Sequence, residues 1–207
     1  MSTESVPSLT VSAVSSAYGA RAAEYIAAFG DIGTAQEKDR TAVMDWARGL
    51  EGHVIDIGCG PGQWTHLLST HGVEVEGIDP TPEFVAAAQQ RHPAIRFRIG
   101  EAERLGVDNA SLGGILAWYS LIHTDPALID TALAEFARCL RPGGGLAVGF
   151  FEGPDLAPFD HTVTRAYYWP LDLLCGRLAT HGFTVTTKTR RRAPGVRPHG
   201  FITAEMN

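Results

Sequence analysis

Alanines and aromatics recur at helical spacing near the start of the chain: Ala13, Ala17, Tyr18, Ala22, Tyr25, Ile26 and Phe29. They predict one helix over 12–29 that Gly30 ends. Thr34 followed by Glu37 resembles a capping box, and the helix it opens would bury Val43, Trp46, Ala47 and Leu50. The texture then changes to short apolar runs closed by glycine. His53 to Ile57 predicts a buried strand, Gln63 to His71 a helix, and Val73 to Ile78 a strand ending at Asp79. Thr81-Pro82 reads as an N-cap and first-turn proline, opening a helix to about His92 before Pro93. Ile95 to Ile99 and Leu112 to Leu121 predict the next two strands. Asp125-Pro126 opens a helix to Leu140, Arg141-Pro142-Gly143-Gly144-Gly145 breaks it, and Leu146 to Phe151 is the following strand.

Strand and helix alternate over 53–151, which predicts βαβ units around a parallel sheet. The remainder differs. Residues 152–162 read as an excursion. A helix over Leu171 to Thr180 stops near Gly182. Phe183 to Lys188 and Gly200 to Glu205, joined by Arg190 to Pro198, predict two strands with no helix between them. Such a pair is expected to be antiparallel and to sit at the sheet edge. The expected fold is α/β: a Rossmann-like three-layer sandwich on a mostly parallel sheet.

Composition narrows the class. The chain has 207 residues, 44% of them hydrophobic and 19% charged, which suits one ordinary globular domain. A net charge of −6 gives no electrostatic reason to seek nucleic acid, and the basic run Lys188 to Arg192 is short. The three cysteines, Cys59, Cys139 and Cys175, fit neither a disulfide framework nor a zinc motif, so a reducing, cytoplasmic setting is expected. No apolar run reaches membrane-spanning length, and Met1 to Thr10 reads as a polar tail without the pattern of a signal peptide. The histidines show no H-x-x-x-H pairing, so no metal is expected.

The chemistry concentrates where the first strand ends. Asp56 runs into Gly58, Gly60 and Gly62 at alternate positions, immediately before a helix. Glycines there permit positive φ and let a ligand reach bare backbone, while the helix N-terminus offers unpaired N–H groups. Asp79 closes the neighbouring strand, where a carboxylate can accept from both hydroxyls of a ribose. A tight turn would account for the glycines alone, and an N-capping role for Asp79 alone. Together they favour a nucleoside ligand. The spacing G-x-G-x-G, rather than G-x-G-x-x-G, favours a cofactor without a pyrophosphate.

These residues carry a resemblance. Val54-Ile55-Asp56-Ile57-Gly58-Cys59-Gly60-Pro61-Gly62 resembles motif I of class I S-adenosylmethionine-dependent methyltransferases, most of all the UbiE-like small-molecule enzymes. Gly77-Ile78-Asp79-Pro80-Thr81 resembles the family's ribose-binding acidic motif, and Gly100-Glu101-Ala102-Glu103-Arg104-Leu105 its segment beside the adenine. Ala117-Trp118-Tyr119-Ser120 through His123 resembles the fourth-strand motif near the methionine end, and Leu140 to Gly144 the turn before the fifth strand. The stretch from Tyr18 through Arg21 to Tyr25 resembles the N-terminal helix over the cofactor. The likeness spans roughly residues 18 to 205 and implies a seven-stranded sheet with an antiparallel edge pair. Two departures stand out. Glu101 occupies a position the family mostly gives to Asp, and Gly113-Gly114 one often held by Phe-Asp.

The resemblance implies a single domain over 1–207. Within it, 1–51 would cover the cofactor, 52–151 would bind it, and 152–207 would supply a lid and the last strands. It implies S-adenosylmethionine as cofactor, held by Tyr18, Arg21, Asp56, Gly58, Cys59, Gly60, Asp79, Pro80, Glu101, Ala102, Ala117, Trp118 and Tyr119. Tyr18 and Arg21 would meet its carboxylate, and Trp118 and Tyr119 would line the sulfonium. His123 is the candidate general base for a small-molecule acceptor, with Tyr119 as a second catalytic candidate. Aromatics from Phe151 to Trp169 would cover that acceptor. The expected reaction is methyl transfer by direct displacement. Two alternatives remain: a non-catalytic S-adenosylmethionine-binding module, and a reductase using NAD(P).

Overall fold

The computed structural model describes residues 9–193 and 195–207. Most of the polar tail expected over Met1 to Thr10 therefore lies outside the described residues. Helices α1 (Val11–Gly19), α2 (Ala22–Phe29) and α3 (Glu37–Ala47) precede the sheet. Alternating units follow: β1 (Val54–Ile57), α4 (Gln63–Thr70), β2 (Val75–Asp79), α5 (Pro82–Arg91), β3 (Phe97–Ile99), β4 (Leu112–Trp118), α6 (Ile129–Cys139) and β5 (Leu140–Phe151). A small hairpin of β6 (Ala157–Asp160) and β7 (Arg165–Tyr168) comes next, then α7 (Leu171–Thr180), β8 (Phe183–Ala193) and β9 (Val196–Met206).

The main sheet has seven strands in the order β3-β2-β1-β4-β5-β9-β8. The pairs from β3 to β5 are parallel, whereas β9 pairs antiparallel with both β5 and β8. The expected edge pair is thus present. Chain order reverses between β1 and β4, and ligands of open α/β sheets bind at the carboxyl ends of strands at such a point.

Two-residue alternation explains why the strands read as unbroken apolar runs. Ile55, Ile57, Ile115, Ala117, Leu146 and Val148 pack under Leu133 and Phe136 of α6 and Leu174 and Leu178 of α7. The intervening Leu116 and Ala147 join the other face, with Val43 and Ala47 of α3 and Trp64 and Leu68 of α4. Gly113 is required by close approach: a Cβ there would sit 1.9 Å from the carbonyl oxygen of Glu51. Beside Gly114, Leu50 and Trp46 take the space.

Several boundaries differ from the sequence expectation. The helix expected over 12–29 is broken at Ala20-Arg21, where Arg21 leaves helical geometry with φ −120° and ψ 16°. Gly19 ends α1 against Glu83 of α5, a contact a Cβ would obstruct. Thr34 does not cap α3. It lies in a 3₁₀ turn, Ile32–Thr34, and its hydroxyl donates to the carbonyl of Asp31, while Gln36 holds the cap position. Local bonding to Asp31 out-competes the box. Strand β4 stops at Trp118 rather than Leu121, because Tyr119 turns the chain at φ 56°. The expected break at Arg141 to Gly145 becomes an irregularity inside β5: Leu140 pairs with Leu112 and Gly145 with Gly114. Residues 152–162 contribute a strand to the β6–β7 hairpin, and the arm expected as a loop over 190–198 pairs as far as Ala193 with Val196. Among the described residues no helix is long and apolar enough to cross a membrane.

Candidate functional site

The loop after β1 is bound to β2 by its own backbone. The N–H groups of Gly58 and Cys59 donate to the carbonyl of Ile78 at 2.7 and 3.0 Å. The Gly60 N–H donates to Asp79 Oδ2 at 2.8 Å, and Asp79 Oδ1 accepts from the Thr81 N–H at 2.8 Å. Gly58, Gly60 and Gly62 have φ of 66°, 55° and 86°, the left-handed region that glycine tolerates without a Cβ clash. A Cβ on Gly58 would lie 2.3 Å from the Cβ of Ser120. Above Gly60 the space is open until the ring of Tyr25, 3.9 Å from such a Cβ.

Both acids expected in the site are buried. Asp56 accepts a 2.6 Å bond from the Thr65 hydroxyl on α4. Burial pushes its pKa up to about 7, with the Thr65 bond opposing and Asp79 adding to the rise. Asp79 is raised chiefly by burial, against the pull of its backbone donors. Burial, with Asp79 and Asp56 nearby, pushes the Cys59 thiol up as well, so it packs as an inert group beside Gly77.

The N-terminal helices close over this loop. Ser15 donates to the Pro80 carbonyl at 2.8 Å. Tyr18 packs edge-on to Tyr25 at 5.5 Å and contacts Phe84 at 5.8 Å between centroids. Its hydroxyl lies 2.9 Å from Nε2 of His123, which joins residues 105 positions apart. His123 is buried, and its Nδ1 is 2.6 Å from the Arg165 carbonyl on β7. Burial holds its pKa below the ordinary value.

Other candidates are more dispersed. Arg21 is half exposed, with its guanidinium on Glu24 and the Thr162 carbonyl. Ala117 is fully buried. Trp118 packs on Trp64 at 4.7 Å and on Phe201 at 5.8 Å, in the cluster beneath α3 and α4. Tyr119 hydrogen bonds with Nδ1 of His199 and meets Phe151 at 5.0 Å. Glu101 is exposed and Ala102 half-buried, on the turn that follows β3.

Four further groups at this end of the sheet were not singled out from the sequence as site residues. Ser120 Oγ and Gln63 Oε1 are buried without a hydrogen-bond partner. Both flank the glycine loop. His161, between β6 and β7, packs 5.3 Å from His123, and its pKa falls to about 4 through burial, then His123 and Arg197. His199 comes from β9, and burial lowers its pKa too. Among the described residues no three His, Cys, Asp or Glu are grouped to hold a metal ion.

The donor set fits S-adenosylmethionine. A glycine cradle stands open above Gly60, an acid ends the adjacent strand, and two orphaned polar atoms wait beside it.

Comparison with known proteins agrees. A family profile described as "Methyltransferase domain" matches residues 54–144. A demethylmenaquinone methyltransferase of Beutenbergia cavernae is 33% identical over 122 residues, covering 58% of this chain and 50% of that protein. The chain thus spans about half the length of the curated relatives it matches. The crystal structure of Burkholderia thailandensis 1,6-didemethyltoxoflavin-N1-methyltransferase, with 1,6-didemethyltoxoflavin and S-adenosylhomocysteine bound, superposes at a TM-score of 0.76 with 21% identity, over 98% of this chain and 93% of that one. The [4+2]-cyclase SpnF superposes at 0.78 with 17% identity, over 98% and 99%. At these identities the two structures speak to the fold alone. Motifs, sheet order and the methyltransferase-domain match over residues 54–144 together make this chain similar to the class I S-adenosylmethionine-dependent methyltransferases.

Proposed function

We propose that the chain moves a methyl group from S-adenosylmethionine to a small-molecule acceptor by direct displacement. The observation that carries this reading is the joining of the glycine loop to the acidic end of β2, Gly60 N–H to Asp79 at 2.8 Å. Such a junction suits a nucleoside without a pyrophosphate.

When bound, S-adenosylmethionine supplies an activated methyl group on a sulfonium. The chain's residues hold, orient and shield. Each Asp79 oxygen keeps a lone pair beyond its backbone donor for a ribose hydroxyl. Asp56, through Thr65, fixes the start of α4 behind the loop. Gly58, Cys59 and Gly60 offer close backbone, with Pro80, Glu101 and Ala102 on the adenine side. Ala117, Trp118 and Tyr119 flank the methionine side, and Arg21 and Tyr18 stand on the covering helices. Orientation of this kind supplies on the order of 7–11 kcal/mol in well-aligned reactions. His123 is the proposed base, and the β6–β7 hairpin the lid that excludes water.

In this reading 1–51 cover the cofactor, 52–151 bind it, and 152–207 form the lid and outer strands. A cytoplasmic setting belongs to the same reading, supported by three free thiols. A net charge of −6 supports a small-molecule rather than a nucleic-acid acceptor. Calorimetric titration tests the cofactor: S-adenosylhomocysteine is expected to bind and NADH not to. The reverse result would sink the reading. Transfer of a labelled methyl group into a metabolite extract tests catalysis, and its absence would favour a non-catalytic binding module.

A further inference from the structure

The geometry around His123 specifies how an acceptor can lose its proton. His123 Nδ1 lies 2.6 Å from the Arg165 carbonyl. A carbonyl only accepts, so Nδ1 carries a hydrogen. In the neutral imidazole Nε2 is then a bare acceptor, and it faces the Tyr18 hydroxyl at 2.9 Å. Tyr18 has one hydroxyl proton and gives it to His123. Its oxygen therefore presents only lone pairs to anything else. That oxygen belongs to the cap over the glycine loop, since Ser15 is tied to Pro80 and Tyr25 stands over Gly60.

We propose that Tyr18 and His123 form a proton relay for a phenolic acceptor, with Tyr18 as the catalytic residue and His123 acting through it. The proposal rests on the methyltransferase reading above. It gives Tyr18 a different task from the carboxylate contact the resemblance implies. As the acceptor attacks, its O–H bond breaks and that proton joins the Tyr18 oxygen. The Tyr18 O–H bond breaks in the same step and its proton joins His123 Nε2. The electron pair left on the acceptor oxygen forms the new bond to the methyl carbon, whose bond to the donor sulfur breaks with its electron pair passing to sulfur. His123 becomes an imidazolium whose Nδ1–H stays on the Arg165 carbonyl, and it returns the proton to water after release of product.

The surroundings suit this. Tyr18 never has to become a free tyrosinate, which burial and the nearby Asp79 strongly disfavour. His161 faces His123 from the hairpin at 5.3 Å, and burial lowers the pKa of both imidazoles, so both rest neutral before the acceptor arrives. Phe151 and Phe159, in contact with His161 at 5.9 and 6.3 Å, extend an aromatic wall that favours a flat ring. The base is also tied to the lid. Arg165 lies on β7, so the tautomer that can serve Tyr18 exists only while the hairpin is seated.

Two measurements test the relay. Nitrogen NMR of histidine-labelled protein, saturated with S-adenosylhomocysteine, is expected to find His123 neutral and protonated on Nδ1. In Tyr18→Phe only its Nε2 resonance should move. Protonation on Nε2 overturns the proposal. Rates are then read with labelled S-adenosylmethionine and a series of phenols of graded acidity. Tyr18→Phe and His123→Gln are each expected to lower kcat about 100-fold, with KM for the donor unchanged. The deficit should shrink as the phenol becomes more acidic, and Tyr18→Phe should flatten the acid limb of the pH profile. An equal loss across the series, no loss, or no transfer to any phenol overturns the relay. S-adenosylhomocysteine affinity separates the two ideas: retained binding with unaltered phenol rates fails the relay alone, whereas lack of binding in the unmodified protein fails the methyltransferase reading.

Discussion

The Gly60 N–H donates to Asp79 Oδ2 at 2.8 Å, so the loop after β1 and the end of β2 form one unit. The other carboxylate oxygen takes the Thr81 N–H, which starts α5. Asp79 therefore shapes the site before it meets any ligand. Asp79→Ala orphans two buried donors, and thermal or denaturant unfolding should register a loss of about 1–3 kcal/mol. S-adenosylhomocysteine affinity should fall about 100-fold, because ribose acceptors and loop geometry go together. Unaltered affinity in titration calorimetry would remove Asp79 from the site.

Two glycines of the loop separate strain from collision. Gly60→Ala meets open space but must hold φ 55°, which costs about 1–2 kcal/mol. Gly58→Ala bears the same strain and also drives a methyl to 2.3 Å from the Ser120 Cβ, so it should lose more stability than Gly60→Ala. Ligand binding should be damaged in both. Equal melting temperatures for the two variants would contradict the close approach of Gly58 to Ser120.

Asp56 and His161 set opposing pH dependences. Asp56 titrates at about 7 in the fold against an ordinary 3.8. The folded state thus holds its proton more tightly, and this contribution is full below the ordinary value and fades as pH rises toward 7. His161 titrates at about 4 against an ordinary 6.5. Here the unfolded state binds the proton more tightly, so the contribution is full above 6.5 and is lost as pH falls toward 4. Melting curves from pH 4 to pH 7 should reflect both. Relative to the unmodified protein, Asp56→Asn should gain stability toward neutral pH, and His161→Gln should become less acid-labile. Parallel pH profiles for all three proteins would refute the assignment.

Glu152, buried at the end of β5, pairs with Arg190 at 3.2 Å and Arg192 at 3.0 Å on β8. Removing one arginine leaves the other as partner and should cost little. Removing both strands a buried carboxylate, a situation worth about 3–5 kcal/mol. The loss should fall toward the lower end of that range, because the guanidiniums are half exposed and water reaches the pair. Denaturant melts of the single and double Ala variants measure this directly, and strictly additive losses would argue against a shared partner.

The local pattern alone determined the α/β alternation, the glycine loop and the acid one strand over. Each depends on residues adjacent in sequence: apolar runs of strand length, glycines at alternate positions, an aspartate where a strand stops. Boundaries went astray where one local bond displaced another, as at Thr34 beside Asp31, or where a long-range contact overrode local propensity, as at Gly19 against Glu83. The acceptor side lay beyond local reading for the same reason. His199 arrives on the antiparallel β9, His161 on a hairpin within a stretch read as an excursion, and neither carries a motif. His123 was legible as a candidate, but its tautomer was not. Only folding brings the Arg165 carbonyl to one face of its ring and Tyr18, 105 positions away, to the other. A sequence records which groups can donate or accept; the tertiary contacts decide which nitrogen is left free.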